Sequence, residues 1–210
     1  MVHRDVKPSN VFVSDVDGQP QVKLLDFGVA KLLEEDLDAG LTQTGLAHLT
    51  PEYAAPEQVE GGAITAATDV YALGVLLYEL LAGQRPYEIA RPTLSSIVEA
   101  VCQTRPVLPS SVAVGDRPRA LRGDLDTMVM KALEKEPERR YVSALELGAD
   151  LRRYLEGHPV KARSATVAYR TRRFVGRHRI PLAAGALALL VAVVALTTSV
   201  VRVTAERDLA

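Results

Sequence analysis

The chain has 210 residues, of which 48% are hydrophobic and 24% are charged, and its formal net charge is -1. That is enough for one ordinary domain with a sizeable core and a little more. The first 160 residues hold 24 acidic side chains against 16 lysines and arginines, which excludes a generic basic face for nucleic acid. Cys102 is the only cysteine, which excludes an intrachain disulfide or a thiolate metal cluster and fits a reducing compartment.

The first predicted element is a β-hairpin. Two short apolar runs, 11–13 and 21–25, are predicted strands, and the turn dipeptide Asp17-Gly18 lies between them. The strands of a hairpin run out and back, so its two ends meet. We therefore expect Asn10, just before the hairpin, to lie near Asp26, just after it.

Helices dominate after residue 56, and the segment 31–55 before them has a loop-like composition. The run 66–81 is apolar around most of its circumference, which predicts a buried helix. In segment 143–155 the leucines are predicted to share one side of an amphipathic helix. The predicted helices are 66–81, 93–103, 123–133 and 143–155. The fold class is therefore α+β and mostly helical.

A long apolar segment follows near the end of the sequence. Residues 180–201 form a run of 22 without a charge, and as a helix they reach about 33 Å, against a hydrocarbon core of about 30 Å. The alternative is a buried core helix, but core helices seldom stay apolar on every face for this length. Seven lysines and arginines with no acid occupy 161–179, so the positive-inside rule places residues 1–179 in the cytoplasm.

Three short motifs carry the chemistry. The chain opens with His3-Arg4-Asp5-Val6-Lys7-Pro8-Ser9-Asn10, continues with Asp26-Phe27-Gly28, and later has Ala55-Pro56-Glu57. In this order the three resemble the catalytic loop, the metal-binding triplet and the end of the activation segment of protein kinases. Each tripeptide alone would be weak evidence, whereas the set with a hairpin between the first two is specific.

This resemblance implies a role for each polar residue. Asp5 is the candidate base for the substrate hydroxyl, and Lys7 neutralises charge on the transferred phosphoryl group. Asn10 and Asp26 are the candidate ligands of Mg²⁺, a hard ion that prefers oxygen, and with Lys7 they form the expected ATP-binding set. Thr50 matches the substrate-binding threonine of the activation segment, although a turn threonine before proline is the alternative. The Asp-x-Lys-Pro-x-Asn pattern resembles serine/threonine rather than tyrosine kinases.

Other motif residues are expected to be structural. Glu57 is predicted to pair with Arg140 in the core, and Asp69 to accept hydrogen bonds from the backbone of the catalytic loop. His3 and Phe27 are expected to stack beneath the active site. Arg4 follows the pattern of kinases whose catalytic loop meets a phosphorylated activation segment, for which Thr42 and Thr44 are candidate phosphorylation sites or solvated loop threonines.

Longer segments resemble bacterial receptor-type serine/threonine kinases. These segments are 50–58, 67–75 and the exit 154–160, which leads to the basic stretch. The resemblance implies a kinase C-terminal lobe over 1–156, a basic juxtamembrane linker over 157–179, one transmembrane helix over 180–201 and a short extracytoplasmic tail over 202–210. The implied location is the cytoplasmic (inner) membrane, crossed once, and the implied partner is a protein substrate with serine or threonine.

The family pattern is incomplete in this sequence. A kinase N-terminal lobe carries a glycine-rich loop and a strand lysine, and neither precedes His3 here. We therefore expect a kinase-like C-terminal lobe without the N-terminal lobe, which binds ATP poorly and transfers phosphate negligibly as it stands, with an exposed apolar surface facing the missing lobe. Two alternatives stay open: a non-catalytic kinase-like interaction module at the membrane, and a small-molecule phosphotransferase, which generally lacks the Ala-Pro-Glu segment and the substrate threonine.

Overall fold

A computed structural model of the chain describes residues 2–25, 50–89, 93–115, 117–164 and 166–207. The chain divides into two compact units. One comprises Met1–Tyr154 and Val160–Arg163, and the other comprises Leu155–Pro159 and Ser164–Ala210. The described residues are mostly helical with one two-stranded sheet, as the composition and periodicity of the sequence predicted.

The predicted hairpin is confirmed. A short 3₁₀ turn, Pro8–Asn10, leads into β1 (Val11–Val16), which pairs antiparallel with β2 (Gln19–Leu24). Asp17 and Gly18 both have positive φ, 55° and 75°, a pairing that matches the twist of a two-residue hairpin turn. The register joins Val11 to Leu24, so the two ends of the hairpin are neighbours.

Seven helices of the first unit follow in the described part of the chain. They are α1 (Pro56–Glu60), α2 (Ala66–Ala82), α3 (Leu94–Val98), α4 (Pro109–Val112), α5 (Arg117–Leu121), α6 (Asp124–Ala132) and α7 (Ala144–Leu155). The predicted helices are confirmed to within about two residues, except that the second changes type. From Glu99 to Gln103 it is a π-helical turn, and the N–H of Thr104 reaches back to the carbonyl of Glu99 at 2.8 Å.

Helix α2 is the centre of the first unit. The hydroxyl of Thr65 accepts the Ala67 N–H at its start, and Gly83 ends it in the left-handed conformation with a φ of 78°. Its buried side chains, among them Tyr71, Val75 and Tyr78, pack with residues of α1, α3 and α6. At Gly74 a Cβ atom would lie 2.8 Å from the Cβ of Ala132, so glycine lets α2 and α6 approach closely.

Helix α7 corrects one prediction. Leu147 is buried and Leu151 half-buried, but Leu145 is 73% exposed and Leu155 is 80% exposed. Leu145 precedes Leu147 by two residues, which is more than half a turn around the helix, and Leu155 is the last helical residue. The prediction that all four leucines share one side was therefore wrong.

Two buried carboxylates tie irregular backbone to the helices. Asp126 accepts hydrogen bonds from the N–H and hydroxyl of Ser110, at 2.9 and 2.7 Å. Asp150 is fully buried and accepts from the N–H groups of Lys161 and Ala162, at 2.6 and 2.8 Å, and from the Tyr141 hydroxyl. These bonds satisfy donors that irregular backbone would otherwise leave unpaired in the core.

The described residues of the second unit form two helices, α8 (Val167–Arg177) and α9 (Arg179–Arg207). Residues 157–179 were predicted to be a juxtamembrane linker, and part of this segment forms α8. By length and composition, α9 is the one helix in the described ranges that could cross a membrane, over Arg179–Thr197 with a mean hydropathy of 2.5.

Candidate active site

The loop before the hairpin is held by Asp69, at the start of α2. Its carboxylate accepts the N–H of His3 at 2.7 Å and the N–H of Arg4 at 2.9 Å, which confirms the role predicted for Asp69. Arg4 has a φ of 70°, in the left-handed region that costs a non-glycine residue energy. The side-chain amide of Gln58 donates to the Arg4 carbonyl at 3.0 Å. These contacts hold the strained backbone that presents Asp5.

Three of the predicted site residues lie together on this loop and on the segment before α1. The carboxylate of Asp5 and the ammonium of Lys7 are 2.9 Å apart, and Lys7 donates to the Thr50 hydroxyl at 3.0 Å. The side chains of Lys7 and Asp5 are 23% and 20% exposed, so solvent or a substrate reaches both. The site thus presents a carboxylate, a cation and a hydroxyl, with the cation within hydrogen-bond distance of the other two.

Asn10 joins the same group from the end of the 3₁₀ turn. Its side-chain nitrogen donates to the Asp5 carbonyl at 2.9 Å and to the Asp5 carboxylate at 3.2 Å. The amide oxygen of this buried residue accepts a long hydrogen bond from the Ser9 hydroxyl, at 3.5 Å, and its second lone pair remains to accept or to ligate.

The far end of the hairpin meets Asn10. The N–H of Leu25 donates to the Asn10 carbonyl at 2.8 Å, and the His3 ring contacts the Leu25 carbonyl at 3.1 Å. The next residue along the chain, Asp26, lies outside the described residues, as do Phe27, Thr42 and Thr44. Their predicted placements therefore remain predictions.

A magnesium site of the predicted kind needs oxygen ligands from both hairpin ends. Over the residues that the structure describes, no group of three histidine, cysteine, aspartate or glutamate side chains could hold a metal ion. Asn10 fits one half of the predicted pair, because its oxygen is a hard ligand whose orientation is fixed by the contacts of its nitrogen with Asp5. The other half depends on Asp26.

The segment after Thr50 is fastened by a cluster that sequence reasoning missed. The Tyr53 hydroxyl donates to the Glu79 carboxylate at 2.5 Å. Burial, together with Glu79, raises the pKa of Tyr53 to about 12. Arg85 lies over the Tyr53 ring at 5.5 Å and pairs with Glu52 at 3.2 Å. Nothing in the spacing of these residues indicates the contacts, because they join segments whose packing is set by the fold.

The predicted Glu57–Arg140 pair is confirmed, and it is buried. Arg140 donates to both carboxylate oxygens, at 2.8 and 2.7 Å, and to the carbonyls of Ala67, Glu134 and Lys135, so all five guanidinium protons have an acceptor. Burial alone would raise the pKa of Glu57, but hydrogen bonds from Arg140, the backbone and Thr68, together with the charge of Arg140, outweigh burial and lower it. The pair links the end of the activation segment to the segment before α7.

Lys135 is a half-buried cation, which sequence reasoning missed. Its ammonium donates to the Tyr87 hydroxyl at 2.7 Å and to the Val101 carbonyl at 2.5 Å. Burial lowers the pKa of Lys135 to about 8, and the neighbouring charge of Arg140 acts in the same direction. These contacts fasten the π-helical turn to the segment after α6.

The chain is similar in sequence to known protein kinases. The family model described as "Protein kinase domain" matches residues 1–148. The serine/threonine-protein kinase PknB of Mycobacterium tuberculosis strain H37Rv is 40% identical over 162 residues, which are 77% of this chain and 24% of that relative. A probable serine/threonine-protein kinase of Streptomyces coelicolor is 36% identical over 167 residues, 79% of this chain and 23% of that relative. The chain thus spans about a quarter of the length of the curated relatives it matches.

Proposed function

The chain belongs to the protein kinase family, and from that premise we propose that it forms the catalytic and substrate-binding lobe of a bacterial serine/threonine kinase anchored in the membrane. The proposed reaction moves the γ-phosphoryl group of ATP to a serine or threonine hydroxyl of a protein. The observation that carries the proposal is the contact of Asp5 with Lys7, Asn10 and, through Lys7, Thr50.

The chemistry follows from these contacts. Asp5 accepts the proton of the substrate hydroxyl while the hydroxyl oxygen bonds to the γ-phosphorus and the bond to the leaving oxygen of ADP breaks. Lys7 stabilises the negative charge on the transferred phosphoryl group, and Thr50 fixes the Lys7 ammonium. The role of Asn10 toward Asp5 is to hold the carboxylate in one orientation. Each residue performs one part of a positioning task.

Asn10 and Asp26 are the proposed ligands of Mg²⁺. When bound, the metal would neutralise the phosphate charges of ATP. For the described part of this pair, the support is the oriented amide oxygen of Asn10.

The membrane anchor is the second part of the proposal. Helix α9 exposes apolar side chains on the whole of its described surface, among them Leu187, Val191 and Leu196, and an exposed apolar surface of that size needs a nonpolar environment. The basic stretch before it favours placing residues 1–179 on the cytoplasmic side of the inner membrane. In this arrangement the kinase lobe is 1–156, the juxtamembrane segment 157–179, the span 180–201 and the tail 202–210.

The anchor is tested by fractionation. The chain is expressed in a bacterium, the membranes are washed with alkaline carbonate, and intact cells are treated with an external protease. We expect the chain to stay with the membranes and residues 1–179 to be spared. Recovery in the soluble fraction, or digestion of the first unit from outside, would contradict the anchor or its orientation.

The activity is tested by supplying a kinase N-terminal lobe, which carries the glycine-rich loop and the strand lysine. The 210-residue chain is compared with the same chain fused behind a protein kinase N-terminal lobe, with ATP, Mg²⁺ and a generic basic protein substrate. We expect negligible transfer by the chain alone and transfer to serine and threonine by the fusion. The substitution Asp5→Asn in the fusion is expected to lower the rate by about 10²- to 10⁴-fold.

An isosteric control separates chemistry from folding. Asp15→Asn changes an exposed carboxylate near the end of β1, which accepts the Gly18 N–H of the hairpin turn, and is expected to leave the rate unchanged. Robust transfer by the Asp5→Asn fusion would overturn the assignment of the base.

A second candidate function is a non-catalytic interaction module at the membrane. It is favoured by the β1–β2 hairpin, whose apolar residues Phe12, Val13 and Val22 are exposed and would be covered by another polypeptide. Replacing Val13 and Val22 by threonine distinguishes the two functions. A module that acts by binding loses its partner in this variant and is indifferent to Asp5→Asn, whereas an enzyme responds to Asp5→Asn.

A further inference from the structure

Helix α8 has an apolar face that is open to its surroundings. Thr166 caps its start by accepting the Tyr169 N–H, and the helix runs from Val167 to Arg177. Phe174 and Val175 follow Val167 by seven and eight residues, a spacing that puts the three on one face. Their exposed fractions are 81% for Val167, 51% for Phe174 and 47% for Val175.

One side of α8 is basic. Arg170, Arg173 and Arg177 follow one another at intervals of three and four residues and form a side that adjoins the apolar face. Tyr169, on the far side of the helix, is buried, so the face with Phe174 is the one that is available. The sequence contains no aspartate or glutamate from residue 157 to residue 205, so the net charge of this segment is strongly positive.

The position of α8 in the chain limits what can cover this face. His178 alone separates α8 from α9, which is the proposed membrane span. Because α8 ends at Arg177 and the proposed span begins at residue 180, the last turn of α8 would lie at the boundary of the bilayer. The side chain of Arg177 is held there by His158 of the same unit, at 2.6 Å, in an exposed position.

We propose that α8 lies along the surface of an anionic bilayer, with Val167, Phe174 and Val175 inserted among the lipids and the arginines bound to headgroup phosphates. An apolar stripe beside a strongly basic side is the pattern of helices that lie in the interface plane. A nucleic acid would engage the arginines but leave Phe174 and Val175 exposed to water, whereas a lipid surface satisfies both features. This inference rests on the proposed anchoring of α9.

The chain contains no tryptophan, so Phe174→Trp introduces a single fluorescent reporter on α8. The full-length variant is reconstituted into vesicles of phosphatidylcholine alone, or mixed equally with phosphatidylglycerol, each with and without a headgroup spin-labelled lipid. We expect a blue-shifted, quenched emission in the mixed vesicles and weaker quenching in the neutral ones. Leu145→Trp, an equally apolar and exposed position on α7, is the control and is expected to show a smaller response.

The electrostatic half of the inference is tested by adding Arg170→Gln, Arg173→Gln and Arg177→Gln to the reporter chain. Each arginine near an anionic surface favours the bound helix by roughly fivefold, so the difference between the two vesicle types should disappear. The matched control replaces Arg105, Arg119 and Arg152, three exposed arginines of the first unit, and should keep the difference.

Resistance of the protein to carbonate extraction from the same vesicles separates this inference from the anchor. An anchored chain whose reporter at position 174 is unquenched in both vesicle types overturns the inference and leaves the anchor intact. A chain that is not retained overturns both. An anchored, quenched reporter that ignores the lipid charge overturns the role of the arginines.

Discussion

Two carboxylate–cation pairs of similar length show how burial separates structure from chemistry in the first unit. Arg140 meets Glu57 at 2.7 Å and Lys7 meets Asp5 at 2.9 Å. The Arg140 and Glu57 side chains are 0% and 7% exposed, whereas those of Lys7 and Asp5 are 23% and 20% exposed. Because the two distances are similar, the difference between the pairs must come from their surroundings.

The surroundings differ in how many bonds each cation makes. All five protons of Arg140 are bonded, which offsets the large cost of removing a guanidinium from water. Lys7 gives two of its three protons to Asp5 and Thr50, both of which remain accessible. We conclude that the first pair fixes the fold, whereas the second is accessible, as the role proposed for Asp5 and Lys7 requires.

The largest expected effect comes from breaking the buried pair with Arg140→Met. The substitution leaves the Glu57 carboxylate buried with Thr68 as its hydrogen-bonding side chain, and we expect a loss of about 3–5 kcal/mol in the free energy of unfolding at neutral pH. The measurement is chemical denaturation of the full chain in detergent. The matched control is Arg139→Met, at an exposed position next to Arg140, which should change little.

The pH dependence identifies the cause. In the wild type the lowered pKa of Glu57 contributes stability above the usual carboxyl pKa, and this contribution is lost as the pH falls through the lowered value. Without Arg140, burial raises the pKa of Glu57, so the variant should be least stable at high pH and should recover toward about pH 5. A loss that is independent of pH would mean that packing, rather than the stranded carboxylate, explains the effect.

For the accessible pair of Lys7 and Asp5, we expect substitutions to change the reaction rate strongly and the stability only slightly. In the fusion with a kinase N-terminal lobe, Lys7→Met is expected to lower the rate of phosphoryl transfer by about a hundredfold. The reason is that the substitution removes the cation proposed to stabilise the negative charge of the transferred phosphoryl group. Thr50→Val, which removes one hydrogen bond to Lys7, should lower it by about tenfold. Both should reduce stability by less than about 1 kcal/mol. Unfolding of either variant would place this pair with the buried one.

The sequence predicted those features that depend on local pattern or on a specific motif. The hairpin follows from Asp17-Gly18 between apolar runs, and α2 follows from its continuous apolar composition. The pairing of Glu57 with Arg140 and the hydrogen bonds of Asp69 with the backbone at His3 and Arg4 were predicted from motifs whose geometry is shared across a family.

The features that the sequence did not predict arise from packing between distant segments. Tyr53 contacts Glu79 and Lys135 contacts Tyr87 because the packing of the fold brings these residues together. The spacing of the residues in the sequence does not predict such contacts. The leucine spacing of α7 also gave a wrong prediction for Leu145, which is exposed and does not lie on the same side as Leu147. Helix α8 was not predicted because arginines interrupt the apolar residues of its segment, so no continuous apolar run indicates a helix there.

A smaller effect is expected at Lys135, a half-buried cation that donates hydrogen bonds to a hydroxyl and a carbonyl. Its pKa of about 8 lies below the usual 10.5, so the unfolded chain binds more protons between these values and the stability should rise with pH across that window. Lys135→Met should abolish the rise. Unfolding is best compared between about pH 7.5 and about pH 8.5, since the raised pKa of Cys102 reduces stability from about pH 9 upward and the raised pKa values of Tyr53 and Tyr87 reduce it above about pH 10. An unchanged slope would exclude Lys135 as its source.

The smallest effect is expected at Arg85, which is the surface counterpart of Arg140. Arg85 pairs with Glu52 at 3.2 Å and lies 3.7 Å from Glu79, but its side chain is 42% exposed. Arg85→Gln should therefore cost only about 0.2–1 kcal/mol, and the cost should shrink in about 1 M salt, where the screening length is about 3 Å. The same salt should leave the Arg140→Met defect nearly unchanged, because buried charges are poorly screened. An Arg85 effect as large and as insensitive to salt as that of Arg140 would show that exposure does not separate structural from accessible charges in this fold.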